Sequence, residues 1–547
     1  MQQVLLFFKS RYFLLIGFIS LAAIVNGSPI DSITGKTVAA NFYAQNYVVK
    51  ISAISLVYAE RSSQGEAEYY VYNINPDSGF VIVSADDAAH PIIGYSSEGH
   101  YNTTHISPDF SFWMQHYKKQ IDLIRLNNIQ ASVDIQNEWD AYKNNLSLKG
   151  PQKITGSVSQ LVQTIWAQSP YYNATCPGGA VAGCVATAMA QIMKYWEYPP
   201  HGIDSNTYTD NPYGTLFADF DTTYYNWAAM PLKDTSTNLP VATLSYDCGV
   251  SVNMSYSASA SNSYVISGDY PICAQTAFVR YFGYSSAISG LYRNAYIDAT
   301  WISLLENELT NGRPILYVGY GNQGGHAWVC DGYNGATGDF HMNWGWGGYE
   351  NGYYNLNSLN PANIPLSNGE EALIGIQPAT AIADFKASPL IVWAGDTVKF
   401  TDRSFGKTPI IAWQWSLNGA NTTTINSQNP AIVYGTPGTY DVSETVTSSQ
   451  GASTLTHDNY ILVLANNPVN VYPTLNDGTF TVQLHDASLA NSNLQFALYN
   501  MLGQKVYTTA LTQYTTQVTV VVPHGMYFFR AFDASKKPVS TGKLVMK

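Results

Sequence analysis

Charge is what this chain has little of. Only 12% of its 547 residues are Asp, Glu, Lys or Arg, and their balance is −12. Basic residues form no run, which excludes the electrostatic footprint of a nucleic-acid partner. Long apolar stretches are scarce too. Residues 12–25 form one, preceded by Lys9 and Arg11, but it is shorter than the roughly 20 residues a membrane span needs. With the small residues Val25 and Gly27 at its end, it reads as a signal peptide cleaved after Gly27. No cysteine lies near that point, so a lipid anchor is disfavoured, and no stable membrane span is expected. Cysteine is sparse, with five in all: Cys176, Cys184, Cys248, Cys273 and Cys330. An odd count in an exported chain suggests a free reactive thiol. The others could form up to two bridges or stay reduced. No Cys/His spacing resembles a zinc site, and no cofactor is expected.

What is present is Tyr, with 41 copies, and a hydrophobic content of 46%, ample for packed cores. Such a composition reads as β-rich and extracellular rather than disordered. The length exceeds one core and implies three to four domains.

Cys184 is the most informative residue. It follows a loop with Gly178, Gly179 and Gly183 and opens a segment whose apolar positions Val185, Met189, Ile192, Met193 and Trp196 fall on one helical face. A thiol at a helix N-terminus meets unpaired N–H groups and the positive end of the helix dipole, and both favour thiolate. Downstream, Gly324-Gly325-His326-Ala327 supplies a histidine and Asn343-Trp344-Gly345-Trp346 an asparagine. The Cys184–His326 separation falls inside the window of about 130–150 residues of papain-like enzymes. Strands over 327–330 and 340–344, paired antiparallel, would return Asn343 to the side of His326.

These three blocks, in order and at that spacing, resemble the streptopain family of secreted bacterial cysteine peptidases, over about residues 155–378. The resemblance implies an α+β papain-like catalytic domain. It makes Cys184 the nucleophile, His326 the base, Asn343 the residue orienting the imidazole, and Trp344 a shield for that hydrogen bond. Gln168, in Trp166-Ala167-Gln168-Ser169-Pro170-Tyr171, inherits the oxyanion-donor role. The implied chemistry is peptide-bond hydrolysis through a thioester.

Residues 28–150 read as a separate pro-segment. Strands are expected at 69–73 and 79–84, and a helix over 109–127 with Phe112, Met114, Tyr117, Ile121 and Ile124 as its apolar positions. The 79–84 and 92–96 blocks resemble the streptopain propeptide, which implies an α+β inhibitory domain. Residues 144–156, with Lys149, Gly150, Pro151 and Lys153, suit a cleavage linker.

Beyond Pro378 short strands alternate with turn signals: 397–400, 413–415 and 439–442. This suggests a sandwich of about seven strands, and its motif order resembles a PKD-type immunoglobulin-like module. The last segment, ending Lys543-Leu544-Val545-Met546-Lys547, resembles the C-terminal sorting domain of the type IX secretion system. The expected organisation is a signal peptide (1–27), inhibitory propeptide (28–150), peptidase (151–378) and two all-β sandwich domains (379–465 and 466–547).

The resulting expectation is a secreted or cell-surface cysteine endopeptidase made as a zymogen. Its partners would be protein or peptide substrates, its own propeptide and the type IX machinery. An inactive surface adhesin and a papain-like cell-wall amidase are the alternatives. An adhesin needs none of Cys184, His326, Asn343 and Gln168, and a zymogen-like pro-segment argues against the amidase.

Overall fold

The apolar patterns at 67–74 and 80–84 build strands, and what those strands pair with decides the architecture. The computed structural model describes residues 27–547 except 105, 148–155, 269, 322–323, 357–368, 465–467, 486, 535 and 537. The expected signal peptide and the middle of the expected cleavage linker lie outside the described residues. The chain divides into two compact units, Met1–Gln377 and Pro378–Lys547.

In the first unit the helices are α1 (Ser32–Asn46), α2 (Pro108–Leu126), α3 (Val133–Lys143), α4 (Cys184–Trp196), α5 (Leu239–Ser251), α6 (Ala274–Arg280) and α7 (Asp298–Thr310). The strands are β1 (Ile54–Arg61), β2 (Ala67–Ile74), β3 (Phe80–Ser84), β4 (Ile92–Ser96), β5 (Ser205–Asp210), β6 (Gly214–Asp219), β7 (Ser289–Tyr292), β8 (Ile315–Gly321), β9 (Gly324–Asn334), β10 (Asp339–Asn343), β11 (Gly352–Tyr354) and β12 (Glu370–Ile374). Ten of these form one sheet in the order β1-β2-β3-β4-β11-β10-β9-β8-β12-β7. The pro-segment, expected as a separate body, therefore shares a sheet with the peptidase. The seam is β4 against β11, with Tyr353 opposite Tyr95 and Tyr354 opposite Gly94.

Helices cover both faces. Opposed residues of an antiparallel pair point to the same face, so the register sorts every side chain. On one face Trp113 of α2 and Trp301 of α7 pack on Tyr317, and Trp113 also on Trp328. On the other, α4 supplies Gln191, which meets Asn343. Helix α2 starts where Ser107 caps the Phe110 N–H and Pro108 opens the first turn. Its buried stripe is Phe110, Trp113, Met114, Tyr117, Ile121 and Ile124. The sequence reading placed Phe112 on that stripe and missed Phe110 and Trp113; Phe112 is only half-buried, toward His326.

The second unit holds two sandwiches, each a three-stranded and a five-stranded sheet. The expected strands lie within Thr397–Asp402, Ile410–Leu417 and Gly438–Ser448. Trp415 sits in the first sandwich's core with Phe385 and Phe400. The final segment forms Pro538–Met546, paired with Gly525–Phe532 over its whole length. Among the described residues no helix is long and apolar enough to cross a membrane.

Candidate active site

Cys184 is the first residue of α4, preceded by Gly183 at φ +91°. A side chain there would adopt a left-handed backbone and press within 2.9 Å of Met254. The thiol is 9% exposed, and the backbone N–H groups of Ala327, Val185 and Cys184 near it pull its pKa down. Despite these donors its pKa is pushed up to about 12, first by burial and then by the charge of Asp109. No imidazole faces the sulfur to offset that desolvation, since His326 lies against Asp109. All five cysteines are free and buried, so the two-bridge alternative is set aside.

Gln168 is buried beside the thiol, and its backbone carbonyl accepts from Ala182 N–H at 3.0 Å, tying its segment to the loop before α4. Cys184, Gln168 and His326 line one cavity of about 360 Å3 together with Pro108, Asp109 and Trp346.

His326 is where the sequence expectation and the structure part. Its Nδ1 lies 2.5 Å from Asp109 Oδ1, in the first turn of the pro-segment helix. The other carboxylate oxygen accepts from Trp346 Nε1 at 2.8 Å. Asp109 is fully buried, and burial raises its pKa against the opposing pulls of His326 and Trp346. Phe112 lies against the His326 ring at 5.6 Å. Room for this comes from Gly319, opposite His326 on β8, where a Cβ would fall 2.5 Å from Phe112.

Asn343 does not orient His326 here. Its Nδ2 donates to Thr164 O at 2.7 Å, and its amide forms a reciprocal pair with Gln191, each bond 3.3 Å. Its Oδ1 also accepts from Gly345 N–H. The register explains the separation. Asn343 pairs with Val329, while His326 is an odd number of residues away on the same strand, β9. The two side chains therefore leave opposite faces of the sheet. A strand–turn–strand spacing brings two residues near each other without fixing the face, and parity fixes it here. Trp344 is fully buried on the His326 face, its indole donating to Glu350 O at 2.9 Å and its ring 5.1 Å from Trp328 and 6.2 Å from Trp113.

Two site residues escaped the sequence reading. Gln191 was legible as a lone buried amide two turns beyond Cys184 on an apolar helix; its Oε1 also accepts from Thr164 Oγ1 and Trp166 N–H. Asp109 had only the signal of an acid in a helical first turn, which dipole stabilisation explains as well.

A buried thiol at a helix start, a histidine and an amide around one cavity are the groups a cysteine peptidase uses. The Peptidase C10 family matches residues 166–354, the Spi protease inhibitor 27–121, the PKD domain 382–461 and the secretion system C-terminal sorting domain 470–547. Streptopain of Streptococcus pyogenes is 33% identical over 332 residues, 56% of this chain and 80% of its own length. The thiol protease/hemagglutinin PrtT of Porphyromonas gingivalis is 28% identical over 404 residues, 68% of this chain; the chain spans 44% of that relative's length. Among solved structures, the prointerpain A fragment of Prevotella intermedia is 31% identical, covering 59% of this chain and 99% of that one, with a TM-score of 0.46.

The chain belongs to the peptidase C10, or streptopain, family. It is a cysteine-type endopeptidase made with an inhibitory pro-segment, a PKD domain and a type IX sorting tail that directs it to the cell surface or beyond.

Proposed function

We propose that this chain is latent because Asp109 holds the catalytic base, and that cutting between the pro-segment and the peptidase releases it. The observation that carries this reading is His326 Nδ1 at 2.5 Å from Asp109 rather than facing the sulfur. Loss of α2 removes Asp109, Phe112 and Trp113 together. His326 then turns at the end of β9, beside Gly324 and Gly325, to the face where Ala327 N–H already meets Cys184. The same turn brings the ring to the face that carries Asn343.

In the released enzyme Cys184 and His326 form the thiolate–imidazolium pair, and Cys184 attacks the peptide carbonyl. The Gln168 amide and the Cys184 N–H stabilise the oxyanion. His326 protonates the leaving amine and then activates water to hydrolyse the thioester. Asn343, braced by Gln191, orients the ring, while Trp344 packs on the opposite face of the sheet. The substrates are proteins or peptides, and the tail engages the type IX exporter. The working boundaries are 1–27, 28–150, 151–378, 379–465 and 466–547, with the activating cut near Lys149 or Lys153.

The test incubates purified zymogen with casein, with and without a thiol-directed inhibitor, and sequences the N-termini of the products. Inhibitor-sensitive casein cleavage that begins only after the chain is cut in 144–156 is expected. Equal hydrolysis by uncut precursor and by a chain starting near residue 155 would remove the latency reading.

A further inference from the structure

Cys184 and Gln191 lie two turns apart on one stripe of α4. Gln191 is fully buried, and its carboxamide reaches two separate segments. Oε1 accepts from Thr164 Oγ1 and from Trp166 N–H, each at 3.1 Å. Trp166 stands just before the Ala167-Gln168 pair that carries the oxyanion donor. Nε2 donates to Asn343 Oδ1 at 3.3 Å, and Asn343 Nδ2 returns a bond to Gln191 Oε1 at 3.3 Å. The helix of the nucleophile, the oxyanion segment and the asparagine thus meet at one amide.

Backbone groups that act in only one sense fix which way both amides point. Trp166 N–H only donates, so the Gln191 atom it meets is the oxygen. Thr164 O only accepts and Gly345 N–H only donates, so Asn343 turns Nδ2 to the first and Oδ1 to the second. Gln191 Nε2 is therefore the donor to Asn343 Oδ1. The oxyanion segment is held from other sides too. Gly347 N–H donates to Trp166 O at 3.1 Å, and Ala182 N–H to Gln168 O at 3.0 Å. Gln191 closes that frame from the helix. The neighbours it has on α4, among them Val185, Met189, Ile192 and Met193, are buried and apolar. An apolar side chain would suit such a helix; a fully bonded amide gives direction instead.

We propose that Gln191 is a positioning residue for the peptidase reaction: its oxygen sets the segment that carries Gln168, and its nitrogen sets Asn343. The inference rests on the roles given to Gln168 and Asn343 above. Both arms are bonded in the latent chain, so oxyanion donor and orienting amide are preset relative to the nucleophile before His326 arrives.

The experiment uses the full chain, cut at Lys149 or Lys153 by trypsin that is then inhibited. It reads kcat and KM on a quenched casein-derived peptide, per active site titrated with a thiol-directed inhibitor. Gln191→Leu loses both arms and should lower kcat by about 100-fold, the effect of a misplacement near 1 Å, with KM little changed. Gln191→Glu keeps the acceptor for Trp166 N–H and loses the donor to Asn343, and should lower kcat by about 5- to 10-fold. Double-mutant cycles separate positioning from lost stability. With Asn343→Ala both variants should be sub-additive, since nothing is left for the nitrogen arm to orient. With Gln168→Ala, Gln191→Leu should be sub-additive and Gln191→Glu additive. A purely structural role would lower the number of titrated sites and leave kcat per site unchanged. Wild-type kcat per site in both variants, or additive cycles with both partners, overturns the proposal. If Gln191→Leu does not fold, Gln191→Glu and its Asn343 cycle decide the matter. If Gln168→Ala and Asn343→Ala each cleave as wild type does, the role assignments fail first, and this proposal with them.

Discussion

The two faces of the central sheet differ in readiness. The α4 face is already assembled: Cys184 sits at its helix start, Gln168 beside it, and Asn343 is locked to Gln191 and Thr164. The α2 face is held by the pro-segment: His326 on Asp109, Phe112 on the ring, and Trp344 packed against Phe110 and Trp113. In the reading proposed above, latency is a base on the wrong side of a sheet, kept there by one buried carboxylate and an aromatic helix face. The nucleophile needs no rebuilding, only its partner.

The hardest break to this comparison removes a member of the pair itself. Cys184→Ala and His326→Ala should each lower kcat/KM on casein-derived peptides by at least about 10⁴-fold, since the covalent route or its acid–base partner is gone. Cys184→Ala should unfold at the wild-type temperature by differential scanning calorimetry, and His326→Ala should do so in the mature enzyme, where no buried Asp109 is left unpaired. Cys176→Ala, Cys248→Ala, Cys273→Ala and Cys330→Ala should keep substantial activity. None of them breaks a bridge, since all five thiols are free.

The second break acts on the other face. Asp109 makes charge-assisted contacts to His326 and Trp346. Asp109→Asn keeps the shape and loses the charge. The separated pro-segment carrying it should inhibit mature enzyme about 10- to 100-fold more weakly, measured as Ki in trans. An unchanged Ki would mean that steric cover by Phe112 and Trp113, not capture of the base, causes latency.

Much of this was readable from residues alone, and where reading stopped has physical reasons. Helix periodicity placed Cys184 at the start of α4 to the residue. Alternation placed β2 and β3 within one or two residues. Strand–turn–strand spacing placed β9 beside β10. What spacing could not carry was parity, which puts His326 and Asn343 on opposite faces. Nor could it show that β4 joins β11 across the linker, because an edge-to-edge pairing leaves no local pattern. The thiol's electrostatics were legible only in part. A helix N-terminus lowers a thiol pKa, but burial outweighs the donors once the imidazole is elsewhere.

A smaller effect separates orientation from chemistry on the assembled face. Asn343→Ala leaves Thr164 O, Gly345 N–H and the Gln191 amide without their buried partner. Unfolding free energy should fall by about 1–3 kcal/mol in urea. Activity should drop while staying well above that of His326→Ala. If Asn343→Ala folded normally and proved as inactive as His326→Ala, its role would be more than orientation.

The smallest effect concerns the seal between the two faces and the medium. Glu350, on the peptidase side, is 3% exposed beneath the pro-segment, near Ser107 and Tyr101. Burial pushes its pKa up to about 8, against a weaker pull from the Ser107 backbone N–H. Asp339, at the start of β10 near His90, Glu138 and Thr337, is raised by burial to about 7. Burial raises Asp109 as well. A carboxyl raised in the latent complex binds a proton there that it gives up when exposed. Its stabilisation is therefore full below the free pKa, about 4.3 for Glu, and is lost as pH rises toward the raised value. The pro-segment should thus inhibit in trans most tightly near pH 5 and weaken toward pH 8. The limit is tenfold per pH unit per proton, and the total expected is roughly tenfold. Glu350→Gln stays uncharged throughout and should flatten part of that slope in a plot of log Ki against pH. A Ki that tightens from pH 5 to pH 8 would show that another group dominates the linkage with the opposite sign.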